Sequence, residues 1–217
     1  LHTLFPYTTL FRSVFLLGAI FGKIIDDSGS AKAIANVIAE KLGVQRAILA
    51  VVLSVGVLTY GGVSVFVVAF AVYPIAAQLF KEADIPKKLI PASIILGSFT
   101  FTMTALPGTP QIQNTIPMPY FGTDAYASPI LGIVGGVIMF IAGMMWLTYR
   151  AKKAKANGIG YGDYKDETIE VDNNNTPHIG IAFLPIILVL VLNFILSKFV
   201  LVAGRYDASY LEKQPYM

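Results

Sequence analysis

The chain has 217 residues, of which 55% are hydrophobic and 13% are charged, with a formal net charge of +3 and no cysteine. Soluble domains carry about 25% charged residues, so this composition excludes an ordinary soluble domain. The lack of cysteine excludes a disulfide framework and a thiolate metal site. Because the charge is modest and the basic residues cluster at loop edges, we expect no nucleic-acid partner.

Four long uncharged runs indicate the fold class. Residues 47–80, 89–123, 125–149 and 179–197 contain no Asp, Glu, Lys or Arg, and the runs are 34, 35, 25 and 19 residues long. A helix needs about 20 apolar residues to cross a bilayer. The sequence therefore predicts an all-α polytopic membrane protein built from transmembrane helices.

The first element in chain order is an apolar segment whose beginning is unusual. Residues 3–13, TLFPYTTLFRS, resemble the translation of a short-read sequencing adapter. Pro6 interrupts them, Arg12 adjoins the apolar run that follows, and no small-residue cleavage site is present, so they fit neither a membrane helix nor a signal peptide. We expect residues 1–13 to be an assembly artefact and residues 14–25 to be a partial span. A genuine amphipathic N-terminus is the alternative.

The next predicted element is an amphipathic helix over residues 28–43, lying at the cytoplasmic interface. Three aliphatic residues share one face: Ile34, Ile38 and Leu42. Three polar residues share another: Lys32, Asn36 and Glu40. This pattern is typical of a helix with one buried face. Ser28 or Ser30 is predicted to cap its start, and Gly43 to follow its end.

The run at residues 47–80 is too long for one straight span. Its residues would form a helix of about 51 Å, whereas the hydrocarbon core is about 30 Å thick. The paired glycines of TYGGVS, residues 59–64, lower helix propensity and permit a break. Because each arm is then short for a full crossing, we predict a helical hairpin of the re-entrant type with its tip at residues 59–64. Two ordinary short spans are the alternative.

The run at residues 89–123 is predicted to be a broken helix. A helical arm over residues 89–105 is followed by LPGTPQIQN and TIPMPYFG, whose four prolines cannot belong to one continuous helix. Irregular backbone survives at membrane depth only where protein buries it or water lines it. The break is therefore a candidate site. An extracellular loop between two ordinary spans is the alternative.

Residues 125–149 are predicted to form a full span that ends on the cytoplasmic side. Four basic residues follow it directly: Arg150, Lys152, Lys153 and Lys155. By the positive-inside rule, residues 150–178 form a cytoplasmic loop, and a last span at residues 179–203 leads outward. Within that loop, GIGYG at residues 158–162 is a weak glycine signal with no strand before it. His178 is interpreted as an interfacial residue rather than a proton relay.

Uncharged polar and glycine residues gather at the two breaks. The candidate substrate-binding residues are Thr59, Tyr60, Gly61, Gly62, Ser64, Thr104, Pro107, Gly108, Thr109, Gln111, Gln113 and Asn114. Broken helices direct N–H groups and positive dipole ends at one point, which favours a carboxylate. Hydroxyls and amides at that point can orient an organic acid. The alternative is that small residues only allow close helix packing, and Thr100 and Thr102 fit that interpretation best.

No enzyme motif, metal-ligand cluster or cofactor-binding loop is present, so we predict no catalytic residue, metal or cofactor. Neither long run contains an ionisable carboxylate or base that could carry a proton. A coupling ion would then be Na⁺ held by carbonyls and hydroxyls, or H⁺ bound outside this chain.

Three stretches resemble the gluconate permease family of proton-coupled symporters. They are GAIFGKIIDDSGSAKAIA, RAILAVVLSVGVLTYGGVSVFVVAFAVYPIA and, most specifically, TFTMTALPGTPQIQN. The resemblance covers residues 14–202 and is closer to the branch that includes permeases for 3-hydroxybutyrate and related small organic acids. Carried onto this sequence, the family's binding region corresponds to residues 59–64 and 107–114.

The resemblance implies a multi-pass secondary transporter of the bacterial inner membrane, of the ion-transporter superfamily type. Such a protein has inverted repeats with a re-entrant hairpin in each half, and this chain is expected to be one half, a fragment. The resemblance also implies a small carboxylate substrate such as gluconate or a hydroxy acid, H⁺ or Na⁺ as the coupling ion, and a homodimer. A passive channel and a non-transporting membrane subunit of a complex are the alternative functions.

Overall fold

In this computed structural model the described residues are 5–115, 117–162 and 177–196, with the backbone alone for residues 5–15, 112, 119 and 120. All regular elements within those ranges are helical. In chain order they are α1 Phe5–Asp27, α2 Ser30–Leu42, α3 Ala47–Tyr60, α4 Val65–Glu82, α5 Ile90–Ile95, α6 Ile112–Thr115, α7 Met118–Phe121, α8 Pro129–Ala156 and α9 Ile179–Ile195. The predictions that concern residues 1–4, 163–176 and 197–203 lie outside the described residues.

Helix α1 includes residues 5–13 and turns sharply into α2 at Gly29. Gly29 occupies the N-cap position of α2 with φ 70°, so the prediction of Ser28 or Ser30 at that position is wrong. Only glycine adopts this left-handed conformation without a steric penalty. Ser28 instead donates its hydroxyl to the carbonyl of Ile25, at 3.1 Å. The artefact hypothesis for residues 1–13 stays a prediction.

Helix α2 lies at the centre of the packing and contacts α1, α3, α4 and α9. Its buried residues are mostly small: Ser30, Ala31, Ala33, Ile34, Ala35 and Ala39. Of the three aliphatic residues on the predicted face, only Ile34 is fully buried, because alanines allow the neighbouring helices to approach more closely elsewhere on α2. The predicted interfacial location of this helix stays a prediction.

Helix α3 follows α2 after a bend of 106° at Gly43 and a 3-10 turn over Val44–Arg46. It is the most buried helix, and its Val51, Val52, Val55 and Leu58 side chains are at most 1% exposed. Helix α3 packs against α4, and residues 61–64 form the break between them. The two helices therefore form a hairpin whose turn lies within the predicted tip.

By length and composition, two helices in the described residues can cross a membrane: α4 and α8. The bent pair of α2 and α3 counts as a third if it forms one broken span or a re-entrant loop, and α9 is a shorter apolar helix. Helix α4 has 18 residues, so this arm of the hairpin is not too short to cross. Whether residues 47–80 are re-entrant stays a prediction.

Helix α5 continues into a π-helical turn over Leu96–Thr100 and then into non-helical turns, so the regular helix stops short of the predicted end at residue 105. Five hydroxyls in this region donate to the carbonyl four residues earlier: those of Ser93, Ser98, Thr100, Thr102 and Thr104. Such bonds compete with the backbone ladder and bend helices. Gly97 lies against α3, where a Cβ would be 2.5 Å from the Val52 carbonyl oxygen.

Helix α8 has 28 residues and includes all four basic residues that were predicted to lie in a loop. That boundary is wrong because Arg, Lys and Ala are good helix formers, and cations near a helix C-terminus interact favourably with its dipole. Asn157 ends the helix, and Gly158 follows with φ 70°. After the undescribed part of the loop, His178 caps α9 by accepting a hydrogen bond from Gly180 N at 3.3 Å.

Candidate functional site: two helix breaks that meet

The structure brings the two predicted breaks into direct contact through Gln111. Its Nε2 donates to the carbonyl oxygens of Thr59, at 2.8 Å, and Val63, at 3.2 Å. The last carbonyls of a helix have no partner within that helix, and Gln111 supplies one at the end of α3. The Gln111 side chain is buried, with 7% exposure. It therefore joins one break to the other from inside the protein.

The turn between α3 and α4 is shaped to receive the second break. Gly62 has φ 95°, and a Cβ at that position would lie 2.9 Å from Cγ of Pro110. Gly61 faces α9, where a Cβ would lie 2.6 Å from Cγ2 of Ile186. Glycines are thus required here for backbone conformation and for close approach. Neither has a side chain that could contact a substrate.

The segment Pro107–Thr109 is held from three sides. Tyr60 of α3 donates its hydroxyl to the Pro107 carbonyl at 2.9 Å, and Asn193 of α9 donates to the Gly108 carbonyl at 2.8 Å. The ring of Tyr126 covers Gly108, which has φ 82°. Two of these three residues were missed by the sequence analysis. An amide inside the apolar run of α9 was the available signal for Asn193.

Two threonine hydroxyls connect α3 to the end of the π-helical turn. Thr59 Oγ1 and Thr102 Oγ1 lie 3.0 Å apart. Each hydroxyl also lies within hydrogen-bond distance of a backbone carbonyl, Thr59 of Val55 at 2.7 Å and Thr102 of Gly97 at 2.9 Å. Since a hydroxyl has one proton, one threonine donates to its carbonyl and accepts the proton of the other. Both hydroxyls thus hold α3 against the segment that follows the π-helical turn. The packing interpretation of Thr102 and the ligand interpretation of Thr59 stay predictions.

Two candidate hydroxyls differ from the others. Thr109 is completely buried, and its hydroxyl has no hydrogen-bond partner in the described part of the chain. Ser64 occupies the N-cap position of α4 but makes no side-chain capping bond, and α1 approaches it at Gly22, where a Cβ would lie 3.6 Å from Ser64 N. The first N–H groups of α4 thus receive no capping from the Ser64 side chain.

The remaining polar candidates, Thr104, Gln113 and Asn114, line a cleft of about 400 Å³ beside the joined breaks. Pro107 lines the same cleft. Asn114 donates to the carbonyls of Leu106 and Thr109, both at 3.4 Å, whereas the Gln113 side chain is exposed. A volume of this size falls within the range of small-molecule pockets. Other lining residues come from the segment before α8, including Thr123, Asp124 and Ser128.

Asp124 is the single charged residue among those that line this cleft. It was missed in the sequence because it lies between the uncharged runs 89–123 and 125–149, and the candidates were chosen from within such runs. Its Oδ1 accepts a hydrogen bond from Tyr126 N at 2.9 Å.

Most of the candidate residues thus fall into two groups, one that joins the breaks and one that lines the cleft, whereas Ser64 and Thr109 belong to neither group. Their assignment as substrate ligands stays a prediction. Within the ranges that the structure describes, no group of three or more His, Cys, Asp or Glu could hold a metal ion.

Comparison with known proteins identifies the class of molecule that carries this site. A protein of Bacillus subtilis (strain 168) described as "Uncharacterized transporter YxjC" is 52% identical over 197 residues, covering 86% of this chain and 42% of that protein. An "Uncharacterized transporter" of Haemophilus influenzae (strain ATCC 51907 / DSM 11121 / KW20 / Rd) is 28% identical over 187 residues, covering 85% of this chain and 42% of that protein. The chain thus spans less than half the length of these relatives. No solved structure matches it.

The family comparison covers most of the chain. Residues 10–208 match the family described as "GntP family permease". The chain therefore belongs to the GntP permease family, a family of membrane transporters rather than enzymes.

Proposed function

We propose that the complete protein is a cation-coupled symporter, a secondary active transporter that moves a small organic acid such as gluconate or a hydroxy acid across the bacterial inner membrane. The observation that carries this proposal is the junction of the two helix breaks by Gln111 next to a cleft of about 400 Å³. Secondary transporters bind their substrates where helices are discontinuous and backbone groups are exposed to a cavity.

The chemistry of the cleft suits an oxygen-rich anion of modest size. Gln113 and Asn114 offer amide donors, and Thr104 and Ser128 offer hydroxyls. Residues behind the wall, including Gln111 and the glycines of the α3–α4 turn, would set its shape without contacting the substrate. In this proposal the cleft-lining group makes the substrate contacts, and the joining group fixes the positions of the breaks.

The charge of the cleft supports coupling to a cation. A carboxylate substrate that enters beside Asp124 brings two negative charges together, and this repulsion is strong in a partly buried site. Binding of H⁺ or Na⁺ together with the substrate removes it. Substrate binding and cation binding would therefore favour each other, which is the thermodynamic requirement for symport.

The test is uptake by the protein encoded in the complete reading frame that contains residues 14–196, reconstituted into liposomes. We expect accumulation of labelled gluconate or 3-hydroxybutyrate above the outside concentration when an inward H⁺ or Na⁺ gradient is imposed. Gln113→Ala and Asn114→Ala should raise KM. The matched control is Gln78→Ala, since Gln78 is an exposed residue of α4 that bonds Glu82 and lies away from the cleft.

The two alternative functions give different results in the same assay. A passive channel would equilibrate the solute without accumulating it and would conduct current. A non-transporting subunit would show no uptake alone and would co-purify with a stoichiometric partner. A homodimer, as the family resemblance implies, would appear as twice the protomer mass in the detergent-corrected molar mass.

A further inference from the structure

The last turns of α8 and the segment before α5 form a second cleft, which we name the basic cleft and define by Lys88, Arg150, Lys153 and Asn157. Its volume is about 140 Å³, and Leu89, Ala154 and Ile159 complete its walls. We propose that the basic cleft binds the phosphate group of an anionic phospholipid. This site is separate from the proposed substrate cleft.

Three cations converge on this cleft from two different elements. Lys88 belongs to the 3-10 turn Lys87–Leu89, whereas Arg150 and Lys153 belong to α8. In the described ranges none of the three forms an ion pair, and the one pair found there joins Lys23 to Asp27. Cations brought together without a counter-charge repel one another. An anion in the cleft would remove that repulsion.

Helix stabilisation does not account for this arrangement. Basic residues in the last turn of α8 interact favourably with the helix dipole, which explains Lys153 and Lys155. Lys88 lies on another segment, 62 positions before Arg150 in the sequence, and yet lines the same cleft. A phosphate explains all three, because arginine and lysine side chains are the usual protein donors to phosphate oxygens.

The exposed residues of α8 change in character along the helix, towards the end that forms the cleft. Ile141 and Met145 are 51% and 68% exposed, on a face of α8 turned away from Arg150, and the exposed rings of Trp146 and Tyr149 follow them along the chain. Arg150 lies over the Trp146 ring, 5.9 Å from its centre. Apolar side chains, an aromatic belt and then basic residues follow the order of acyl chain, interface and phosphate in a bilayer. The occupant is therefore amphiphilic rather than a free anion.

The wall on the other side of the cleft is fixed by a contact far along the chain. Asp84, which follows α4 with φ 51°, accepts a hydrogen bond from Tyr161 N at 3.0 Å. The Lys87 ammonium lies 6.0 Å from the centre of the Tyr161 ring. These contacts hold the loop that carries Ile159 against the segment that carries Lys88. Basic pockets between helices at a membrane surface are suited to anionic headgroups.

The experiment compares lipid binding by native mass spectrometry of the complete protein in neutral detergent. Phosphatidylglycerol, phosphatidylcholine and inorganic phosphate are the three probes. We expect wild-type protein to retain phosphatidylglycerol in preference to phosphatidylcholine. Lys88→Gln should weaken phosphatidylglycerol binding about fivefold, and the triple variant with Arg150→Gln and Lys153→Gln about 100-fold. The matched control is Lys152→Gln, an exposed lysine of α8 outside the cleft, and it should bind as wild type does.

Two results would overturn the proposal. One is unchanged phosphatidylglycerol binding by Lys88→Gln and by the triple variant, as expected if the acidic sequence at residues 163–172 neutralises these cations instead. The other is displacement of the lipid by inorganic phosphate at equal concentration, which would indicate a site for a free anion. Lys88→Gln leaves α8 intact, so it decides the question even if the triple variant fails to fold.

Discussion

The side-chain amide of Gln111 donates to the carbonyl oxygen of Thr59 across 52 positions of sequence, at 2.8 Å. A second bond, at 3.2 Å, reaches the carbonyl of Val63 on the far side of the α3–α4 turn. One residue of the second break therefore closes the first break. The geometry of the turn depends on this side chain.

Replacing Gln111 with leucine should destabilise the protein by about 2 kcal/mol, because buried carbonyl acceptors lose a donor. The measurement is the unfolding midpoint of the purified protein in detergent. Gln113→Leu is the matched control, since the Gln113 side chain is exposed, and it should leave the midpoint unchanged. Equal midpoints for the two variants would contradict the bridging role of Gln111.

The hydroxyls of Thr59 and Thr102 should be energetically coupled, because they lie 3.0 Å apart in a buried contact. Valine keeps the shape of threonine and removes the hydroxyl. In a double-mutant cycle of Thr59→Val and Thr102→Val, we expect a coupling free energy of about 1 kcal/mol in unfolding. Strict additivity of the two single changes would show that the hydroxyls do not interact.

A methyl group at Gly62 should destabilise the protein, whereas a methyl group at Gly135 should be tolerated. Gly62 combines φ 95° with a Cβ position 2.9 Å from Pro110, and Gly135 on α8 has open space around it. We expect Gly62→Ala to lower the free energy of unfolding by about 2 kcal/mol. Gly135→Ala should be neutral or slightly stabilising, since alanine has the higher helix propensity. Detergent-solubilised protein yield and thermal midpoint both measure this difference.

Removing the charge of Asp124 should increase the affinity for an anionic substrate if the cleft beside it is the binding site. Asparagine keeps an oxygen that can accept from Tyr126 N. We expect Asp124→Asn to lower KM about fivefold, which corresponds to about 1 kcal/mol of relieved repulsion. The effect should shrink as salt is added, and the dependence of uptake on the cation gradient should weaken. An unchanged KM at low salt would place the substrate elsewhere.

The N-terminal sequence is tested by a long sequencing read across the locus, anchored on the codons for residues 47–149. We expect other coding sequence in place of residues 1–13 and a second hydrophobic half after Met217. A genome that encodes TLFPYTTLFRS and a stop codon after Met217 would refute both expectations.

Local sequence was sufficient to predict features that depend on local composition. The uncharged runs located α4 and α8 because a helix that crosses the hydrocarbon core of a bilayer needs about 20 consecutive apolar residues. The Gly61-Gly62 pair marked the end of α3 because glycine lowers helix propensity wherever it occurs. The helical class and the family resemblance followed from such signals and agree with the structure and with the comparison.

Features that depend on tertiary packing were not predictable in this way. Nothing near Gln111 in the sequence indicates that its amide reaches α3, and nothing near Asn193 indicates that it bonds Gly108, 85 positions away. The end of α8 was misplaced because charge was taken as a boundary, although Arg150 and Lys153 favour helix as strongly as their apolar neighbours do.

The bend of 106° between α2 and the helix after it has a mechanical consequence. Helix α2 is about 20 Å long and lies nearly at right angles to α3. It also contacts α1, α4 and α9, so it connects four helices. Shifting one of these helices past the others would separate α2 from a partner. Helices α1, α3, α4 and α9 are therefore expected to move together with α2.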